Sequence, residues 1–130
     1  MSAIYKREEV LRAIYDMLYG ICSEIYTSSR PVAKAPSSEF LVIRLSQGIR
    51  SESELHNSCI GQIIIYVKDR ADNIENVVRE EQLVQDISAL FPFNNGFMVC
   101  NSTPYLSESR SDGMGYHSII IQFRFIIKKL

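Results

Sequence analysis

The chain has 130 residues, 46% of them hydrophobic and 22% charged, with 14 basic and 15 acidic side chains and a formal net charge of −1. The length predicts one domain over residues 1–130, and the composition is too apolar for a disordered chain. The dispersed, nearly balanced charge argues against nonspecific or sequence-specific nucleic-acid binding. The longest apolar runs, such as 63–67, are too short to span a bilayer, so we expect a cytosolic protein.

The first predicted element is an amphipathic helix over residues 5–25. Its apolar side chains recur at steps of three and four, typical of a helix with one face on a core. They are Leu11, Ile14, Leu18, Ile21 and Ile25. Hydroxyl residues and two prolines then predict an irregular connection as far as residue 38.

Two strands and a second helix are predicted next. Residues 40–45 and 60–68 alternate in side-chain character and are rich in β-formers, which predicts two strands joined as a long hairpin. Asp72 followed by Glu75 has the spacing of a helix start, and the helical period continues until Pro92.

The C-terminal part predicts two further strands, a short one over residues 97–100 and a long one over 117–128. The long strand alternates without a break from Ile119 to Ile127. The predicted fold class is therefore α+β, in the order helix, strand, strand, helix, strand, strand. We expect a mostly antiparallel sheet with two helices packed on one face.

No pattern of a catalytic, cofactor or metal site is found. The sequence lacks a phosphate-binding loop, a nucleophile elbow and a helix with paired histidines, so we predict no enzyme, no cofactor and no metal. Cys22, Cys59 and Cys100 lie about forty residues apart and are interpreted as buried free thiols. The pair Glu80-Glu81 is interpreted as part of a solvated helix face.

Two polar segments, 46–58 and 101–116, are longer than a compact domain needs between neighbouring strands. The second is predicted to be a flexible, charged loop that orders against a partner. Ile120 and Ile126 lie on the otherwise polar side of the last strand, which favours cover by another copy of the chain.

The chain resembles the tail terminator proteins of long-tailed phages, of the lambda type. The resemblance rests on the order of elements and on the stretch Gly61-Gln62-Ile63-Ile64-Ile65-Tyr66-Val67 that leads into the second helix. It rests also on the ending, where a polar segment bearing Asp112 and Gly113 precedes the alternating strand. The family has no catalytic signature.

The resemblance implies a prophage or phage structural protein that forms a hexameric ring. Such a ring caps the tail tube, stops polymerisation of the tail-tube protein and contacts the head connector. The protein is then expected in the virion tail and, during assembly, in the host cytoplasm. From predicted exposure alone, we expect polar contacts between copies at five residues. These are Arg44, Arg110, Asp112, Gln122 and Arg124.

Two other functions stay open at this point. The first is a small ligand-binding or regulatory domain, acting as a dimer, with a pocket lined by Tyr66, Phe97 and Phe123. The second is an enzyme that uses Cys59 or Cys100 with a histidine.

Overall fold

A computed structural model describes most of the chain. The described residues are 7–22, 24–27, 38–45, 50–51, 56–71, 74–101 and 103–128. They form two helices, α1 (Arg7–Leu18) and α2 (Val77–Ser88). They also form nine strands, β1 (Ile25–Thr27), β2 (Glu39–Leu45), β3 (Arg50–Ser51), β4 (His56–Lys68), β5 (Phe93–Asn94), β6 (Met98–Cys100), β7 (Tyr105–Leu106), β8 (Arg110–Ser111) and β9 (Tyr116–Lys128).

The nine strands form one sheet built around β4 and β9. The main order is β1-β2-β4-β9-β6-β5, and β3 pairs with β4 while β7 and β8 pair with β9. Only β1 and β2 run parallel; the other pairs are antiparallel. All thirteen residues of β4 pair with β9, from His56 opposite Lys128 to Lys68 opposite Tyr116. The long alternating segments thus form the centre of the sheet.

Strand alternation divides the sheet into two faces. One face carries the larger core, to which β2 gives Leu41 and Ile43, and β9 gives Ile121 and three further side chains. Buried side chains of α1 (Val10, Ile14, Leu18) and of α2 (Leu83, Ile87) belong to this core. The three- and four-residue spacing of these apolar positions is what lets each helix bury one side.

The opposite side, which we call the second face, has a smaller aromatic core. Phe40 lies at its centre, fully buried. Its ring stacks on Tyr66 with centroids 4.6 Å apart and meets Tyr116 and Tyr26 edge-on at 5.6 and 5.8 Å. Such ring geometry suits the aromatic quadrupole. Val42 and Ile64 complete the buried set.

The α+β class and the mostly antiparallel sheet are confirmed, but the finer architecture differs from the prediction. Nine strands occur instead of four, so the predicted order is wrong. The predicted layering, a sheet with two helices packed on one face, is not confirmed either. The side of the sheet opposite the larger core is not a plain outer surface, because it has a buried core of its own. That core forms since Phe40 and Tyr66 are large enough to cover one another across β2 and β4.

Both predicted helices are too long. The first ends at Leu18 instead of residue 25, and Ile25–Thr27 forms β1, because backbone pairing with β2 competes with the apolar helical period. The second begins at Val77, where the Asn76 side chain accepts a hydrogen bond from the Arg79 amide at 3.3 Å. Asp72, the predicted start, lies outside the described residues.

Candidate functional site

The second face presents a row of polar side chains across four strands. Arg44 lies opposite Gln62, Gln62 opposite Gln122, and Gln122 opposite Tyr105. The Gln62 Nε2 atom donates a hydrogen bond to Gln122 Oε1 at 2.9 Å, which fixes the middle of the row. Arg44 is exposed at one end, and Tyr105 at the other end is 70% exposed. The row therefore ends in an exposed cationic side chain on one side and an exposed aromatic side chain on the other.

The second face is also cationic. Lys68, Arg110 and Arg124 share this face with Arg44, since they lie opposite Tyr116, Ser118 and Ile60. All four cations are exposed. No carboxylate occurs on this face among the strand residues whose side chains the structure describes.

Four of the five residues predicted to make contacts between copies thus share one face of the sheet: Arg44, Arg110, Gln122 and Arg124. Three are exposed, and Gln122 is half-buried beside Gln62. The alternation of β9 explains their common side, because residues two apart on a strand point the same way. Whether they contact another copy stays a prediction.

The fifth residue, Asp112, has a different place. Its Oδ1 atom accepts hydrogen bonds from the backbone amides of Met114 at 2.7 Å and Tyr116 at 3.1 Å. Gly113 and Gly115 in the same turn have φ values of 74° and 90°, which favour glycine. The Asp112 carboxylate therefore shapes the turn that leads into β9.

The segment before β9 is not the predicted flexible loop. It carries β7 and β8, which pair with β9 at Tyr105 opposite Gln122 and Arg110 opposite Ser118. Residues 105–111 therefore continue the sheet along one edge of β9. Propensity gave no signal for strands of two residues, since such strands form only because β9 provides a ladder.

A second group of side chains, the His117 cluster, lies where β4 ends and β9 begins. It consists of Asp69, Glu75, Glu80, Ser109 and His117. The His117 Nδ1 atom is 2.5 Å from Asp69 Oδ1, and its Nε2 atom is 3.8 Å from Glu75 Oε1. The Ser109 hydroxyl donates to the same Glu75 oxygen at 2.7 Å. Five residues that are far apart in sequence are thus linked in one polar cluster.

Two groups of this cluster have raised pKa values. The Asp69 hydrogen bond raises the pKa of His117 above its usual 6.5, with the Asp69, Glu75 and Glu80 charges adding to the effect. Burial raises the pKa of Glu80 above its usual 4.5, and contact with the Ser109 hydroxyl offsets part of this. Glu80 is 3% exposed, and its Oε2 atom is buried with no hydrogen-bond partner among the described residues.

The prediction of a solvated face at Glu80-Glu81 is therefore wrong for Glu80 and right only for the exposed Glu81. Adjacent acidic residues on a helix usually face water, and this rule does not anticipate the burial of Glu80. No local pattern in the sequence indicates the cluster, because the cluster depends on strand register. Since Val67 pairs with His117, Asp69 falls within reach of that histidine.

The described residues contain no group of three or more His, Cys, Asp or Glu side chains that fits a metal ion. None of the helices in the described part of the chain has the length and apolar character needed to span a membrane. Cys22, Cys59 and Cys100 are buried free thiols, as predicted. Burial raises the pKa of Cys22 and Cys59, which disfavours the thiolate that a nucleophile requires.

The pocket predicted for a ligand-binding domain does not form from its three residues. Tyr66 lies on the second face against Phe40, whereas Phe123 belongs to the larger core and Phe97 packs against that core. The sheet itself separates Tyr66 from the two phenylalanines. Alternation places them so, because Tyr66 and Phe123 have opposite parity in the β4–β9 register.

No protein-family model matches the chain, and no curated protein matches it. A solved structure whose only name is a sequence identifier is similar to it, with a TM-score of 0.63 and 12% sequence identity over 97% of each chain. At 12% identity, this similarity concerns the fold alone. The chain therefore shares its architecture with another protein of nearly equal length.

Proposed function

We propose that this protein is a ring-forming assembly protein, a tail terminator that caps a phage tail tube and meets the head connector. In the proposed ring, the second face of one copy contacts the outer side of α2 in the next copy. The observation that carries the proposal is charge complementarity between these two surfaces. No metal, cofactor or catalytic step is part of the proposed function.

The outer side of α2 is acidic. Glu81 and Asp86 are exposed there, together with polar Gln82 and Gln85. The one arginine of this helix, Arg79, is already engaged, since its Nε atom donates to Glu39 Oε1 at 2.6 Å and its Nη2 atom to Oε2 at 2.5 Å. Asp86 lies close enough to Arg79 for their charges to interact, so the exposed Glu81 contributes most of the negative charge that the helix presents to a partner.

The two surfaces face away from one another in a single copy. Leu83 and Ile87 anchor α2 on the larger core, whereas Arg44 and Arg124 lie on the second face of the sheet. A cationic surface repels its own copy, so a symmetric pair through the second face is disfavoured. Head-to-tail contact between different surfaces is favoured, and such contacts close into rings or extend as filaments.

Both surfaces also carry exposed apolar side chains, which would add buried apolar area to the contact between copies. Tyr105 and Ile126, 70% and 36% exposed, lie on the second face among the cations. Val77 and Val78, 46% and 59% exposed, lie in the first turn of α2. Aromatic and aliphatic anchors within a polar rim are the usual composition of a stable interface, which buries about 800 Å² on each partner.

Charge reversal tests this contact. Arg124→Glu and Glu81→Lys, each alone, should weaken self-association more than about tenfold, because each places like charges opposite one another. A one-to-one mixture of the two variants should restore association, in assemblies in which copies of the two variants alternate. Arg7→Glu reverses an exposed cation of α1 outside both surfaces and is the matched control. Sedimentation velocity at rising protein concentration and at two salt concentrations gives the measurement.

The biological step is tested with the tail-tube protein of the same phage or prophage. Tubes polymerised with the wild-type chain should be short and should carry a ring at one end in electron micrographs. Tubes of unchanged length without bound protein would refute the tail-terminator function. Binding of duplex DNA by the second face, lost in Arg44→Glu, would instead assign the cations to nucleic acid.

A further inference from the structure

The His117 cluster joins four parts of the chain that the sequence separates. Asp69 follows β4, Glu75 precedes α2, Ser109 lies between β7 and β8, and His117 is the second residue of β9. The contacts Asp69–His117 and Ser109–Glu75 therefore hold residues 69–71 and 74–76 against residues 107–117. Two backbone hydrogen bonds support them, from the Asp69 amide to the Gly115 carbonyl and from the Arg70 amide to the Ile74 carbonyl.

The cluster is stable only when it holds protons. Asp69, Glu75 and Glu80 bring three carboxyl groups together, and the titratable cation that faces them is His117. An ionised Glu80 would place a buried charge beside two carboxylates with no partner for its Oε2 atom. A neutral His117 would leave Asp69 and Glu75 without their counter-charge.

We propose that the His117 cluster is a pH-dependent lock, closed by proton binding at His117 and Glu80 and loosened when either proton is lost. The segments that it releases on opening are 69–71, 74–76 and 107–117. This device is a property of the single copy and does not depend on the tail-terminator function.

The sign follows from the pKa directions. The pKa values of His117 and Glu80 are both raised in the folded protein. A group with a raised pKa stabilises the fold fully below its unfolded value, 6.5 for His117 and 4.5 for Glu80. That stabilisation is lost as pH rises through the folded pKa, so the lock weakens above pH 4.5 through Glu80 and above pH 6.5 through His117. Full closure is expected below pH 4.5.

Glu80→Gln is the decisive variant, because it keeps the shape of the side chain and makes it permanently neutral. It should reduce the fall in melting temperature between about pH 5 and pH 8 that we expect for the wild-type chain. Glu9→Gln removes an exposed carboxylate of α1, outside both proposed contact surfaces, and is the matched control. It should retain the wild-type pH dependence.

Two further measurements detect the lock directly. The imidazole signal of His117 in NMR spectra should titrate above pH 6.5, identified by its loss in His117→Gln. Amide exchange, corrected for its intrinsic pH dependence, should rise in segments 69–71, 74–76 and 107–117 between pH 6 and pH 8 while β4 stays protected. Titration of His117 at or below 6.5, or equal pH profiles for Glu80→Gln and Glu9→Gln, would overturn the proposal.

Discussion

Replacement of Gly61 by alanine tests how closely the larger core packs against the centre of the sheet. Gly61 lies in β4, opposite Leu45 of β2 and Phe123 of β9. A Cβ atom at this position would lie 2.8 Å from the Phe123 Cζ atom and 3.2 Å from Phe125 Cε1. The first distance is shorter than van der Waals contact allows, so the ring has to move.

The Phe123 ring has little room to move. It is 3% exposed, and its centroid lies 5.0 Å from that of Phe91 and 5.4 Å from that of Phe125. Overpacking of a core costs about 1–3 kcal/mol. The lower conformational entropy of alanine in the unfolded chain raises the free energy of unfolding by roughly 0.4–1 kcal/mol. We therefore expect Gly61→Ala to lower the free energy of unfolding by about 1–2 kcal/mol.

Urea unfolding followed by circular dichroism measures this change. Gly20→Ala is the control, because a Cβ atom there has no neighbour within 4 Å, so that only the entropy effect applies and its free energy of unfolding should rise by roughly 0.4–1 kcal/mol. In a Phe123→Leu background, which removes the clashing Cζ atom, Gly61→Ala should cost less than in the wild-type chain. Equal costs in both backgrounds would refute the packing argument.

Two further substitutions test contacts that position α2. Arg79→Ala should lower the free energy of unfolding by about 1–2 kcal/mol, since it removes a two-pronged, half-buried contact with Glu39. Arg12→Ala, which removes an exposed contact on α1, should lower it by under about 0.5 kcal/mol. Equal losses for the two variants in urea unfolding would contradict this. Asn76→Ala should lower the free energy of unfolding by about 1 kcal/mol, because the helix loses its cap, and Asn76→Asp should retain most of the stability. A loss of stability in the aspartate variant as large as in the alanine variant would argue against capping.

The site was less predictable than the fold. Exposure arguments selected Arg44, Gln122 and Arg124; alternation places Gln122 and Arg124 on one side of β9, and the register across β4 adds Arg44 to that side. The same reasoning did not anticipate that Asp112 accepts hydrogen bonds from backbone amides of its own turn. It also missed Glu80, since burial of a carboxylate depends on Ser109 and His117, which reach it only through the pairing of β8 and β9.

The sequence by itself determined the elements whose signal is local. Regular alternation over 117–128 and 60–68 required long strands, and the apolar period of 7–18 required a helix, because each pattern has a solution in which one side is buried. Tertiary structure decided the rest. β1, β7 and β8 are strands of two or three residues that exist only because β2 and β9 supply hydrogen-bonding edges. The aromatic core around Phe40 and the His117 cluster arise likewise from register, a long-range property that no short stretch of sequence contains.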